Sequence, residues 1–237
     1  MSRPERDLAW VADAQALFEQ TVMELADLRV PSRLPGWTRG HVVTHVARNA
    51  EGLGRLLTWA RTGIETPMYP SVQQRDADIE AGSGRGRTEQ LDDLRRAAAA
   101  FAAAAGELSS TDWEATVRTR HGSLPASAVP WVRVRELWLH LVDLDAMGLG
   151  AAVEIDSIPE DIATALVRDL ASWMHTRVST RVVLQLPGGT QTSFGPEDSV
   201  PVEVSGPVRE LAGWLTGRCG GQALNAPDGL PELPSWL

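Results

Sequence analysis

The sequence predicts an α+β protein, with a four-helix bundle over residues 1–150 followed by a small α+β unit over residues 151–237. Three observations carry that prediction. Apolar residues recur at helical spacing through most of the first 150 residues. The intervals between the helical stretches include one long crossover, a connectivity that helical bundles use. After Gly150 the pattern changes to short runs rich in valine set between two further helical stretches.

The first helix is predicted from about residue 5 to 28, on Leu8, Val11, Ala14, Leu17, Val22, Leu25 and Leu28. Residues 30–37 form a turn-rich connector. Thr38 then has the side chain and position of an N-cap for a second helix running to about residue 62. Residues 62–86 are irregular, with a short helix over about 73–80. Thr88 is read as the cap of a third long helix ending near 108, because Glu89 to Ala105 is almost all strong helix formers. Residues 109–129 read as a loop holding a small hairpin. Pro130 opens a fourth long helix ending near Gly148. Beyond it, a helix over 159–176, strands at 181–186 and 200–204, and a helix over 208–215 make up the second unit. The proline-rich tail from Ala226 reads as an extended surface segment.

Composition narrows the function classes. The net charge of −9 argues against nucleic acid and against an anionic membrane surface as partners. No apolar run reaches membrane-span length and no signal-peptide core follows the N-terminus, so the protein is expected to be cytoplasmic. The single cysteine, Cys219, rules out an internal disulfide and reads as a spectator thiol. All 22 basic residues are arginine, which excludes Schiff-base and lysine-general-base chemistry.

The chemistry is concentrated in two helices. Glu136 and His140 stand four apart in Val134-Arg-Glu-Leu-Trp-Leu-His-Leu-Val-Asp143, so they lie one above the other, roughly 6 Å apart along the axis. The rest of their face is Val, Leu and Trp, and a carboxylate there is costly unless paired or bound to a cation. His45 on the second helix adds a second nitrogen, and two nitrogens with one oxygen can hold zinc and leave a position open. On the residues alone, His45 reads also as a satisfied core histidine, and Glu136 as a surface residue or a partner for Arg133 or Arg135. His41, in the first turn of its helix, is assigned a capping or supporting role. His121 reads as solvated, and His175 as a helix-end residue facing the dipole. Trp37 and Trp138 are expected to wall the site. The Gly-Ser-Gly-Arg-Gly run from Gly82 lacks the Gly-Lys-Ser/Thr of a phosphate loop and reads as a flexible turn.

At these residues the chain resembles the mycothiol-dependent maleylpyruvate isomerases, within the DinB-like metal-binding helical bundles. The resemblance rests on Leu34-Pro-Gly-Trp-Thr-Arg-Gly-His-Val-Val-Thr-His45 and on Thr58-Trp-Ala-Arg-Thr-Gly-Ile-Glu-Thr-Pro-Met-Tyr69. It continues through Pro125 to Asp143 and Gly213-Trp-Leu-Thr-Gly-Arg218 to the closing Trp-Leu237. It implies a DinB-like bundle with a C-terminal α+β domain that contributes to the active site. It implies His45, Glu136 and His140 as ligands of a divalent metal, zinc first among the candidates, with mycothiol as thiol cofactor. A functionally important arginine falls on Arg218 and a second catalytic candidate on Asp143; Cys219 beside Arg218 departs from the family pattern.

The activity implied is cis–trans isomerisation of maleylpyruvate to fumarylpyruvate, a step of aromatic catabolism through gentisate. A metal-activated thiolate adds to the alkene, the new single bond rotates, and the thiolate leaves. Arg218 would clamp a substrate carboxylate bidentately. The alternatives are a mycothiol S-transferase acting on electrophiles, a non-catalytic metal-stabilised binding module, and metal-assisted hydrolysis without thiol.

Overall fold

The computed structural model describes residues 3–120, 122–145 and 154–235. The chain forms two compact units, residues 1–152 and 153–237. The expected change of pattern at residue 150, His121 and the closing Trp-Leu lie outside the described residues. The fourth long helix, expected to end near Gly148, ends at Asp143, with Leu144 as its cap and Asp145 turning to the left-handed region at φ 50°.

In the first unit four long helices make the bundle: α1 (Glu5–Glu24), α2 (Arg39–Thr62), α4 (Arg87–Gly106) and α5 (Val129–Asp143). A shorter helix, α3 (Val72–Ser83), packs on α2. Helix α2 packs against α4 and α5, and α1 packs against the same two, so α1 and α2 face each other diagonally across the core. That core is built from Phe18 and Val22 of α1, Val46 and Leu53 of α2, Leu94 and Phe101 of α4, and Leu137 and Leu141 of α5.

Several boundaries differ from the sequence reading, each for a physical reason. Helix α1 stops at Glu24, where Leu25 turns to extended backbone. Leu25 and Leu28 stay buried from non-helical chain, which is why the apolar pattern outlasted the helix. Helix α4 is capped by Gly86, whose N–H donates to Glu89 Oε2 at 3.2 Å, so Thr88 sits inside the first turn. Helix α5 begins one residue ahead of Pro130, which occupies a first-turn position where a missing N–H costs nothing. The segment before it holds the hairpin, β1 (Thr116–Thr119) paired antiparallel with β2 (Gly122–Pro125).

The run from Gly82 is not a flexible turn throughout. Gly82 and Ser83 are the last residues of α3 and are buried against α2. A Cβ on Gly82 would stand 2.4 Å from Thr44 Cγ2, and one on Gly40 would stand 2.2 Å from the Ser83 carbonyl oxygen. Two glycines therefore let the backbones of α2 and α3 approach more closely than any side chain would permit.

The bundle also buries a cation. Arg133 of α5 is 1% exposed. It donates from Nη1 to the Val46 carbonyl (2.7 Å) and Asn49 Oδ1 (3.0 Å), and from Nη2 to Gln15 Oε1 (2.9 Å). Burial pushes Arg133 down to about 10, which leaves it charged at neutral pH.

The second unit is α6 (Glu160–Met174), β3 (Val182–Gln185), β4 (Gln191–Phe194), β5 (Val202–Ser205) and α7 (Val208–Thr216). The sheet order is β4-β3-β5, with β3 antiparallel to β4 and parallel to β5. Strand β4 was not predicted: it reads Gln-Thr-Ser-Phe, and only Phe194 is buried. Ile162, Leu166 and Leu170 of α6 and Leu211 and Leu215 of α7 close the core of this unit. The protein is thus α+β, with a helical N-terminal region followed by a small sheet-bearing unit. Among the described residues no helix is long and apolar enough to cross a membrane.

Candidate metal centre

Helix α2 owes its start to a reciprocal cap. Thr38 Oγ1 accepts from the His41 N–H (3.4 Å), and His41 Nδ1 accepts from the Thr38 N–H (3.1 Å). His41 Nε2 then donates to Glu80 Oε2 of α3 at 3.1 Å. The capping role expected for His41 is therefore seen, and it also ties α3 to α2. One turn further along α2 is His45, buried and facing α5.

His45, Glu136 and His140 converge. One donor atom from each lies within 4.8 Å of the others. His45 Nε2 is 3.0 Å from Glu136 Oε2, and His140 Nε2 is 3.5 Å from the same oxygen. Ligands about 2.1 Å from a tetrahedral metal lie about 3.4 Å apart, so these edges are close to those of a coordination shell. The histidine side chains are 7% and 4% exposed and Glu136 is 21% exposed, so the carboxylate is the donor nearest to solvent. The residues fit a divalent metal in number, type and spacing. Two imidazoles and a carboxylate are a donor set that zinc accepts with a position to spare.

The second nitrogen of His140 is also placed: Nδ1 donates to Asp143 Oδ2 at 2.9 Å, in an almost fully buried contact. A carboxylate behind a histidine of this kind fixes the ring's orientation and raises its basicity. Trp37 flanks the cluster, with its ring 5.5 Å from that of His45 and stacked on that of His41 at 6.1 Å. Trp138, also expected as a wall, is a buried residue of α5.

The electrostatics follow from those contacts. Burial pushes His45 down to about 4, outweighing its hydrogen bond to Glu136. Burial also works to raise the Glu136 carboxyl, but hydrogen bonds from His140 and His45 win and hold it well below the usual carboxylate range. His140 is raised: burial opposes its charge, yet carboxylates on both sides of the ring, Asp143 and Glu136, favour it more.

Two neighbours were not singled out from the sequence as site residues. Arg75, on α3, points its Nη2 at His45 Nδ1 (3.3 Å) and its Nη1 at Asp76 Oδ1 (2.6 Å). Its guanidinium lies 6.0 Å from the centroid of the Tyr69 ring. Burial, and then the negative charge of Glu136, push the Tyr69 hydroxyl up to about 12. Tyr69 closes one of the segments that carry the family resemblance, so a signal for it existed; Arg75 stands in a polar stretch with none.

Arg218 belongs to the second unit. It follows Gly217, the left-handed cap of α7, and its N–H bonds to the Gly213 carbonyl at 2.8 Å. Its half-buried guanidinium donates to the Thr216 carbonyl at 2.8 Å. Cys219 next to it is raised by burial, in keeping with an unreactive thiol.

Residues 11–145 match the family model described as the mycothiol maleylpyruvate isomerase N-terminal domain. Among solved structures, the chain is similar to a mycothiol-dependent maleylpyruvate isomerase, with a TM-score of 0.86 and 30% identity over 100% of both chains. A histidine-to-alanine mutant of such an isomerase matches at a TM-score of 0.85, again with 30% identity over 100% of both chains. No curated protein matches the chain.

Proposed function

The chain belongs to the mycothiol maleylpyruvate isomerase family, and from that premise we propose that it converts maleylpyruvate to fumarylpyruvate with mycothiol as thiol cofactor. In this reading His45, Glu136 and His140 hold a divalent metal, zinc by the character of the donors. The observation that carries it is the convergence of those three side chains from two helices onto one point inside the bundle.

Metal and mycothiol together would supply a thiolate at neutral pH, the nucleophile whose reversible addition lets a cis double bond rotate. The chain's own residues do the rest. Glu136 is ionised at neutral pH, and His45 is neutral, so neither needs to lose a proton to become a ligand. Asp143 holds His140 by Nδ1 and turns Nε2 toward the cluster. Trp37 covers the His45 ring and keeps bulk water from that side. Arg218 is assigned to a carboxylate of the substrate, by the family resemblance.

The test is direct. Purified protein is incubated with maleylpyruvate, with and without mycothiol, and the absorbance of the cis acid is followed. Loss that requires both protein and thiol, with the thiol recovered, supports the isomerase. Thiol consumed mole for mole would make the protein a transferase, and equal loss without thiol would rule out both. Within the same assay, Arg218→Ala should keep its metal and lose turnover; near-normal kinetics would remove Arg218 from the mechanism.

A further inference from the structure

Arg75 is a strong cation that touches the donor cluster from a third helix, α3. An arginine side chain can only donate, so Arg75 Nη2–H donates to His45 Nδ1, and that nitrogen must carry a lone pair. A neutral imidazole has one ring hydrogen, which then sits on Nε2 and is donated to Glu136 Oε2 at 3.0 Å. Coordination through Nε2 needs the reverse arrangement, with the lone pair on Nε2 and the hydrogen on Nδ1. The ring keeps its single hydrogen, which moves from one nitrogen to the other through water. The Arg75–His45 contact and metal coordination by Nε2 therefore exclude each other.

We propose that Arg75 is a specificity-determining residue, a cation displaced from His45 Nδ1 when metal binds and thereby released to pair with a carboxylate of the substrate. Its geometry suits that exchange. Nη1 stays on Asp76 Oδ1 at 2.6 Å, which anchors the side chain while Nη2 changes partner. The side chain is 17% exposed, so a released Nη2 has little water to turn to. A metal held by the three ligands would add positive charge close to the guanidinium, and an anion placed between the two would reconcile them. Helix α3 cannot easily retreat to relieve the repulsion. Gly82 and Gly40 hold its backbone against α2, and His41 ties it there through Glu80.

The proposal rests on the metal-dependent reading of the site, and its test is chosen to separate the two. Arg75→Gln and Arg75→Lys are prepared beside the wild type. Zinc affinity is measured first, by competition with a chromogenic chelator and with no substrate present. Replacing the guanidinium by a shorter, uncharged side chain should tighten zinc binding in Arg75→Gln by about tenfold, the scale of one supporting contact to a ligand histidine. The proteins are then loaded with cobalt(II), and malonate is titrated as a plain dicarboxylate while the visible spectrum is followed. Malonate should bind the wild type about tenfold more tightly than Arg75→Gln, with Arg75→Lys recovering part of the difference.

Opposite movements of zinc and malonate affinity in one variant are the expected signature, and a residue that merely packs would not produce them. Unchanged zinc and malonate binding in Arg75→Gln would overturn the proposal, as would weakened zinc binding. A wild type that binds zinc and malonate in this pattern yet fails to isomerise maleylpyruvate with thiol would sink the assigned reaction and leave the role of Arg75 standing.

Discussion

Helix α5 carries two buried polar clusters less than three turns apart, and they are built on opposite plans. At Arg133 every contact is a donor meeting a neutral oxygen: a backbone carbonyl, an asparagine and a glutamine. At Glu136 and His140 a carboxylate and two imidazoles, all groups that can ligate a metal, converge on one point, and a carboxylate stands behind one of the rings. The first cluster is satisfied as it stands and needs no visitor. The second collects more negative and lone-pair character than its own hydrogens can satisfy, which is what a site for a cation looks like. Burial alone does not distinguish them, since His45 and His140 are nearly as covered as Arg133. The direction of the donors does.

The sharpest way to break that contrast is Glu136→Gln. Removing the only anionic ligand while keeping the shape should lower zinc affinity by about a hundredfold or more, read by chelator competition. An unchanged affinity would mean that the cluster is a hydrogen-bonded core feature like its neighbour. Arg133→Ala should do the opposite, costing about 3 kcal/mol of stability in urea unfolding because two buried acceptors and one half-buried acceptor lose this donor. The folded fraction should still bind zinc normally. A variant that lost metal before it lost stability would show that the two clusters are one.

The smallest effect separates the histidines by pH in metal-free protein. His45 has its folded pKa pushed down to about 4, so between about 4 and 6.5 the unfolded chain binds a proton that the folded chain does not. Acid therefore favours unfolding through His45 in that window, and the loss grows as pH falls from 6.5 toward 4. His140 has the other sign: its pKa is raised, so its contribution is full below 6.5 and fades as pH rises through the folded value. Glu136, held low, contributes above the ordinary carboxylate range and loses that only in stronger acid. Replacing His45 by Gln should flatten the fall in the free energy of urea unfolding between pH 6.5 and 4. Equal slopes would mean that His45 takes up a proton as freely as an exposed histidine.

Much of this arrangement is legible in the sequence. Thr38 announced the start of α2, and the four-residue spacing of Glu136 and His140 put both on one face of α5. What stayed hidden depended on contacts distant in sequence. Strand β4 offers one buried side chain in four, too little alternation to stand out from a loop. The end of α1 was overrun because Leu25 and Leu28 bury themselves without helical backbone. Arg75 reaches His45 from thirty residues away, across a helix junction made possible by Gly40 and Gly82. In sequence Gly82 reads as the start of a flexible turn, whereas in the structure it marks, with Gly40 of α2, where two backbones touch.

The grip of Arg133 on the Val46 carbonyl and Asn49 has one more effect. These contacts lie within about a turn of His45 and Glu136, and they bolt the two ligand-bearing helices together with groups that take no part in coordination. The two helices are therefore held together whether or not an ion is present. Loading and stripping can proceed as exchange with solvent, on a scaffold whose helices do not have to come apart.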